Sequence, residues 1–214
     1  MKRYFVFMLI SLLLLTVNIV SSKELNSSLM GKVIVIDVGH GGKDRGTSSG
    51  NVYESDINLA IALKLEKALI QQGVDVLLTR DGDYDLSSPD VSRRKKSDFD
   101  NRIKFINESA ADLYLSIHMN YLTNGKYYGG QVFYTEGNEK LATVMQNSFK
   151  NKLKSPMDAK KLGDTIYMFK QLEKPGVLIE CGFLSNANER SLLNTDEYQE
   201  KVAATIVEGL INYY

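Results

Sequence analysis

The sequence predicts an α/β fold: a single domain, residues 32–214, with a twisted, mostly parallel or mixed sheet and helices on both faces. Three observations predict it. Apolar runs of strand length alternate with longer segments of helical period, the signature of a layered α/β domain. The first run, Val33-Ile34-Val35-Ile36, is apolar at every position, as a strand covered on both faces is. No internal repeat, low-complexity linker or second module breaks the alternation.

After that first strand, residues 56–72 set Ile57, Leu59, Ala60, Leu63, Leu65 and Leu69 on a helical stripe that Gly73 closes. Residues 74–79 form the next strand. The stretch 81–98 is polar and charged, carries Arg93-Arg94-Lys95-Lys96, and reads as a long surface loop whose basic run is a solvated face. A helix over 100–111 turns Ile103 and Ile106 inward and leads into a strand over 112–118. Residues 131–134 give a fourth strand, 139–153 a helix, 177–180 a short core strand and 196–213 a C-terminal helix.

Composition narrows the function. The 214 residues carry 26 basic and 26 acidic side chains, and 43% are hydrophobic, which suits one globular core. A chain with zero formal charge lacks the positive footprint that displaces counterions from phosphates, so nucleic acid is not an expected partner. The single cysteine, Cys181, allows neither an internal disulfide nor a cysteine-rich metal centre. Any metal must be held by His, Asp or Glu.

Met1-Lys2-Arg3 precedes an uncharged apolar run from Tyr4 to Val20, with Val20 and Ser22 at the positions an export peptidase reads. Residues 1–22 are therefore expected to be a signal peptide, cleaved after Ser22, or an N-terminal membrane anchor. Either places the domain outside the cytoplasm, in the cell envelope, with membrane contact only through this segment.

The chemistry begins with the two histidines. His40 and His118 each stand at the carboxyl end of an expected core strand, and that edge is where open α/β sheets bind ligands. A lone histidine after a strand is commonly a structural residue, but two on one edge can converge on a single metal. A hydrolytic zinc site takes three ligands from His and carboxylate and leaves one position open for water. Glu54 lies where the glycine-rich segment from Gly39 to Gly46 and its continuation meet the first helix; Asp44 and Asp56 compete with it, and spacing alone leaves the three open. Glu180 ends a buried apolar strand, where a carboxylate costs free energy unless it is paired or functional, and is a candidate general base. The glycine loop matches neither the dinucleotide nor the P-loop fingerprint. Cys181 as a nucleophile is the weaker idea.

These motifs resemble a known family. Asp37-Val38-Gly39-His40-Gly41-Gly42, Glu54, Thr79-Arg80, Ser116-Ile117-His118-Met119-Asn120 and the run from Pro175 to Asn186 are similar, in order and spacing, to the zinc-dependent N-acetylmuramoyl-L-alanine amidases. The resemblance covers nearly all of residues 32–214. It implies His40, Glu54 and His118 as Zn2+ ligands and Glu180 as the catalytic carboxylate. It also implies hydrolysis of the amide joining N-acetylmuramic acid to L-alanine in peptidoglycan. Departures stand at Val38, where the family commonly has Pro; at Met119 and Tyr121, where it has small residues; and at Lys170, near which it has Arg. Residues 79–109 look most like the branch that matures the spore cortex, whose enzymes strip the stem peptide before muramic-δ-lactam forms. Without a wall-binding module or an inhibitory helical insertion, location and control are expected to come from the N-terminal segment or from an accessory activator protein. Two other readings keep the export signal and the substrate: an inactive peptidoglycan-binding protein, and a zinc polysaccharide deacetylase that releases acetate.

Overall fold

A computed structural model describes residues 28–163 and 166–214. The expected signal or anchor, residues 1–22, lies outside the described residues. Among those described, no helix is long and apolar enough to cross a membrane.

The chain forms β1 (Val33–Val38), β2 (Ser48–Ser49), β3 (Val52–Tyr53), α1 (Glu54–Ile70), β4 (Asp75–Leu78), α2 (Arg94–Glu108), β5 (Leu113–Asn120), β6 (Gln131–Tyr134), α3 (Glu139–Leu153), β7 (Lys160–Lys161), α4 (Tyr167–Gln171), β8 (Gly176–Phe183), α5 (Ala187–Leu193) and α6 (Asp196–Tyr213). Six strands make one sheet in the order β4-β1-β5-β8-β6-β7. The four from β4 to β8 run parallel, and β6 is antiparallel to β8. The sheet is thus mixed and mostly parallel, as the sequence predicts. The carboxyl ends of β1, β5 and β8 share one edge.

Alternation along the strands sorts the core into two layers. Ile34, Ile36 and Val38 of β1, Leu115 and Ile117 of β5 and Ile179 and Cys181 of β8 face α1, α3 and α6. Val35, Tyr114 and Leu178 face the other way, against Ile106 of α2 and Met168 and Phe169 of α4. Helices therefore cover both faces, unequally.

Three expectations change. Helix α2 starts at Arg94, not Asp100, so Arg94, Lys95 and Lys96 lie on its first turn rather than in a loop. Its inward residues include Asp98 and Arg102, charged side chains that hide the helical period, while Ile103 is only half-buried. On α1 the buried row is Ile57, Ile61, Leu65 and Leu69, flanked by Asn58 and Ala62. This is an i, i+4 row; Leu59 and Ala60 lie on its flank and Leu63 is 38% exposed.

A candidate metal centre at the carboxyl edge

His118 and Glu180 are directly paired residues of adjacent parallel strands, so their side chains leave the same face of the sheet. Asp37 and Ser116 share that face two residues earlier on β1 and β5, bonded to each other at 2.7 Å. Cys181, one residue on, points the opposite way into the apolar layer; burial pushes its thiol pKa up. A fully buried thiol held protonated is not a nucleophile.

His40 follows the end of β1 with a left-handed backbone, φ 61°, unusual for a residue with a side chain. Two buried arginines hold that conformation. Arg102 donates from Nη1 to the Val38 carbonyl at 2.6 Å and to Asp37 Oδ1 at 2.8 Å, and from Nη2 to the His40 carbonyl at 2.7 Å. Arg80 donates to the carbonyls of Val38, Gly39 and Ser55 at 3.2, 3.0 and 2.8 Å. Asn58 is the third side chain that holds the turn, donating to the Gly39 carbonyl beside Arg80. The turn is thus clamped by charge-assisted bonds, the strong kind. Two glycines make room for the rings. A Cβ on Gly39 would lie 2.4 Å from the His118 ring, and one on Gly46, φ 67°, would lie 2.5 Å from Glu54 Oε2.

Glu54 opens α1 and is 3% exposed. Its Oε2 accepts the backbone N–H and hydroxyl of Thr47 at 2.8 and 3.0 Å, which fixes the carboxylate; Oε1 accepts the Met119 N–H at 3.2 Å and faces the site. That oxygen lies 3.1 Å from His40 Nε2 and 2.9 Å from His118 Nδ1. One ligand atom from each of His40, Glu54 and His118 falls within 4.8 Å of the others. Of the competing acids, Asp56 is exposed. Asp44 sits behind His40, its Oδ2 3.2 Å from Nδ1 and its Oδ1 accepting the Gly46 N–H at 3.1 Å. A carboxylate on the far nitrogen of an imidazole orients that ring for a metal.

The titration states are strongly coupled. Burial acts to lower the His40 pKa, but hydrogen bonds to Asp44 and Glu54 outweigh it and push it up to about 9. Burial alone would raise Glu54; the two histidines hold its carboxyl well below the usual range. Glu180 moves the other way: burial, helped by the Glu54 charge and opposed by His118 and His40, raises it to about 7. Its Oε2 is enclosed and has no hydrogen-bond partner among the described residues. Two imidazoles that give up a proton when a metal binds, together with a carboxylate, are an apt donor set for zinc, and a carboxyl beside them with a free oxygen suits a proton carrier.

Glu54, His118 and Glu180 line an open cleft with His40, Tyr121 and Lys95. Met119, the other departure on this strand, is buried in the apolar layer, whereas Tyr121 is 43% exposed at the cleft. The reading of the residues alone passes over Arg80, Arg102, Thr47 and Asn58. Only the similarity of Thr79-Arg80 to the family, and of residues 79–109 to its spore-cortex branch, touches the two arginines, and no spacing rule marks them.

Comparisons with known proteins agree with this architecture. The germination-specific N-acetylmuramoyl-L-alanine amidase of Bacillus subtilis (strain 168) is 40% identical over 200 residues, spanning 91% of this chain and 84% of the relative. The CwlD amidase of Clostridioides difficile, solved in complex with the GerS lipoprotein, superposes with a TM-score of 0.81 at 38% identity, covering 85% of this chain and 98% of that one. The catalytic domain of CwlV, an amidase from Bacillus (Paenibacillus) polymyxa var. colistinus, gives 0.73 at 33% identity, covering 85% and 97%. The family model described as N-acetylmuramoyl-L-alanine amidase matches residues 34–212, and the chain belongs to that family.

Proposed function

We propose that the chain is a zinc-dependent amidase that hydrolyses the amide between the lactyl group of N-acetylmuramic acid and L-alanine. His40, Glu54 and His118 would hold the ion and Glu180 would carry the proton. The observation that carries this reading is the convergence of three donors, one Glu54 oxygen within hydrogen-bond distance of both imidazoles, beside the Glu180 carboxyl, whose Oε2 has no hydrogen-bond partner among the described residues. When bound, zinc supplies Lewis acidity to a water and to the amide carbonyl.

The chain's residues do the rest. Glu180, with a pKa near 7, takes the water's proton as the oxygen attacks the carbonyl carbon, then delivers it to the alanine nitrogen as the C–N bond breaks. The products are a muramic carboxylic acid and a peptide with a free N-terminal alanine. Asp44 keeps His40 oriented from behind, and Arg80 and Arg102 keep its backbone in place.

The germination-specific relative supports a place in spore cortex maturation, before muramic-δ-lactam forms, and an envelope location for the domain. The relative solved with a lipoprotein supports an accessory partner, which would aid zinc loading. Full, tight zinc occupancy of the isolated domain, unchanged by any spore-envelope fraction, would sink the zinc-loading role. The central test incubates zinc-loaded protein and its Glu180→Ala counterpart with purified peptidoglycan and follows products by mass spectrometry. Glu180-dependent release of peptides beginning with alanine is expected. Release of acetate with the peptides still attached would replace the amidase by a deacetylase.

A further inference from the structure

The basic run at the start of α2 is not uniformly solvated. Arg94 pairs with Asp85, and Lys96 with Asp100 at 2.7 Å and with the Tyr167 hydroxyl at 3.2 Å. Lys95 turns instead into the cleft that holds the three candidate ligands and Glu180. Its ammonium lies 3.4 Å from Asp44 Oδ2, an oxygen already engaged by His40, and 5.8 Å from the centroid of the Phe99 ring. The side chain is 62% exposed, so its charge is open to a ligand entering the cleft.

Helix electrostatics and the charge of the cleft both give this placement weight. Cations on the first turn of a helix oppose its dipole, and α2 carries three there with no acid. Arg94 and Lys96 recover that cost through close partners, while Lys95 has a longer contact to a shared oxygen and a distant one to the Phe99 ring. A local rule broken with so little close compensation points to function. The lining of the cleft points the same way. Apart from the histidines, every ionisable side chain lining it other than Lys95 and the Tyr121 phenol is an acid, namely Asp44, Glu54 and Glu180. Outside the metal centre itself, an acidic substrate would meet repulsion along that wall and one attraction, at Lys95.

We propose that Lys95 is a specificity residue of the amidase, binding a carboxylate of the stem peptide on the leaving-group side of the scissile amide. This rests on the amidase reading above. Stem peptides carry side-chain or α-carboxylates close to the alanine, and some are amidated at that group, which removes the charge and keeps the shape. Lys95 distinguishes the two forms and positions the acidic one.

The test compares the zinc-loaded full chain with Lys95→Gln, Lys95→Arg and Lys95→Glu on two muropeptides differing only in whether the glutamate carboxylate is free or amidated. The wild type should prefer the free acid, through KM rather than kcat. Lys95→Gln should reduce that preference roughly fivefold, the size of a partly exposed ion pair. Lys95→Arg should retain it and Lys95→Glu should invert it. Calorimetric binding of the acidic muropeptide to the zinc-loaded Glu180→Ala protein, with and without Lys95→Gln, gives a readout independent of turnover. Equal losses on both substrates, accompanied by reduced zinc content, would assign Lys95 to support of Asp44 and overturn the proposal. A wild type that cleaves both forms without preference would overturn it while leaving the amidase reading intact; a wild type that cleaves neither overturns both.

Discussion

The two faces of the sheet are built for different work. One is covered by α1, α3 and α6 with a continuous apolar layer running from Leu29 to Leu210. The other has a small apolar layer under α2 and α4, and toward the carboxyl edge gives way to buried charge: Asp37, Arg102, Asp98 and Ser116, all less than 5% exposed. Burying charge costs free energy that apolar packing does not, so a fold selected for stability alone would not choose it. The second face uses that cost to fix backbone. Arg102 reaches from α2 across Asp37 to the carbonyls of Val38 and His40, and so sets where the first histidine stands. The apolar face holds the domain together, and the charged face holds the donors in place.

The largest expected effects test whether chemistry can be removed from the charged face without loss of fold. Glu180→Ala should lower kcat about 10²–10⁴-fold, the usual worth of a positioned proton carrier. Zinc content should stay unchanged, and the melting temperature should hold or rise, because the substitution removes an enclosed carboxyl oxygen that has no hydrogen-bond partner among the described residues. His118→Ala should abolish both activity and zinc binding. A Glu180→Ala protein that melts well below the wild type would break the division of labour.

Next come paired cuts, one on each face. Phe149 is fully buried in the apolar layer, and Phe149→Ala should cost about 3–5 kcal/mol. Arg102→Met leaves Asp37 and Asp98 buried without their cation and should cost a similar roughly 3–5 kcal/mol. Either amounts to a fall of about 10 °C in melting temperature for a domain of this size. The two should part in their effect on the metal. Zinc titration of the folded protein should give an unchanged affinity for Phe149→Ala, and a roughly 10–100-fold weaker one for Arg102→Met, since the His40 carbonyl loses its anchor. Equal zinc affinities in the two variants would show that the arginine is only structural.

Acid should act on the charged face first. Burial tends to raise the Asp37 pKa, but Arg102 and the Ser116 hydroxyl together lower it below 3.8. A carboxyl depressed in the folded state contributes stability above its unfolded pKa and loses that contribution as pH falls through the folded value. Urea midpoints measured from pH 6 to pH 3 on metal-free protein should therefore drop below about pH 4. Asp37→Asn should flatten that slope by up to about 1.4 kcal/mol per pH unit, one proton's worth. An unchanged slope would mean that Asp37 is not what the acid titrates.

The same contrast decides what could be read from sequence. Apolar strands and the helices of the first face declare themselves by period, and α3, α6 and β6 run over the residues expected. His40, His118 and Glu180 were legible because a polar residue closing an apolar strand is conspicuous. The later part of helix α2 is legible too, with Ile106 inward, but its start is not, because the inward positions there hold Asp98 and Arg102 and its first turn is basic, against the dipole. Spacing alone leaves Glu54, Asp44 and Asp56 open and only the family resemblance singles out Glu54; the β2–β3 hairpin that precedes it has strands of two residues each, which leave no pattern. The arginine clamp joins residues 42 and 64 positions from the Val38 carbonyl, a distance no local rule spans.

The smallest expected effect lies on α1, where the apolar pattern alone is ambiguous. Leu63 belongs to a helical stripe by spacing, yet it is 38% exposed, whereas Ile61, two residues earlier, is fully buried. The difference arises because the helix turns its 57–61–65–69 row to the sheet, and Asn58 takes the adjoining place to bond the Gly39 carbonyl. Leu63→Lys should then change stability by no more than about 0.5 kcal/mol, as surface positions do, while Ile61→Ala costs about 2–5 kcal/mol. Chemical denaturation of the two variants measures the orientation of α1 directly. A large loss at Leu63 would mean that the helix is rotated toward the wider stripe. Asn58 would then move away from Gly39, and one of the three donors that hold the His40 turn would be gone.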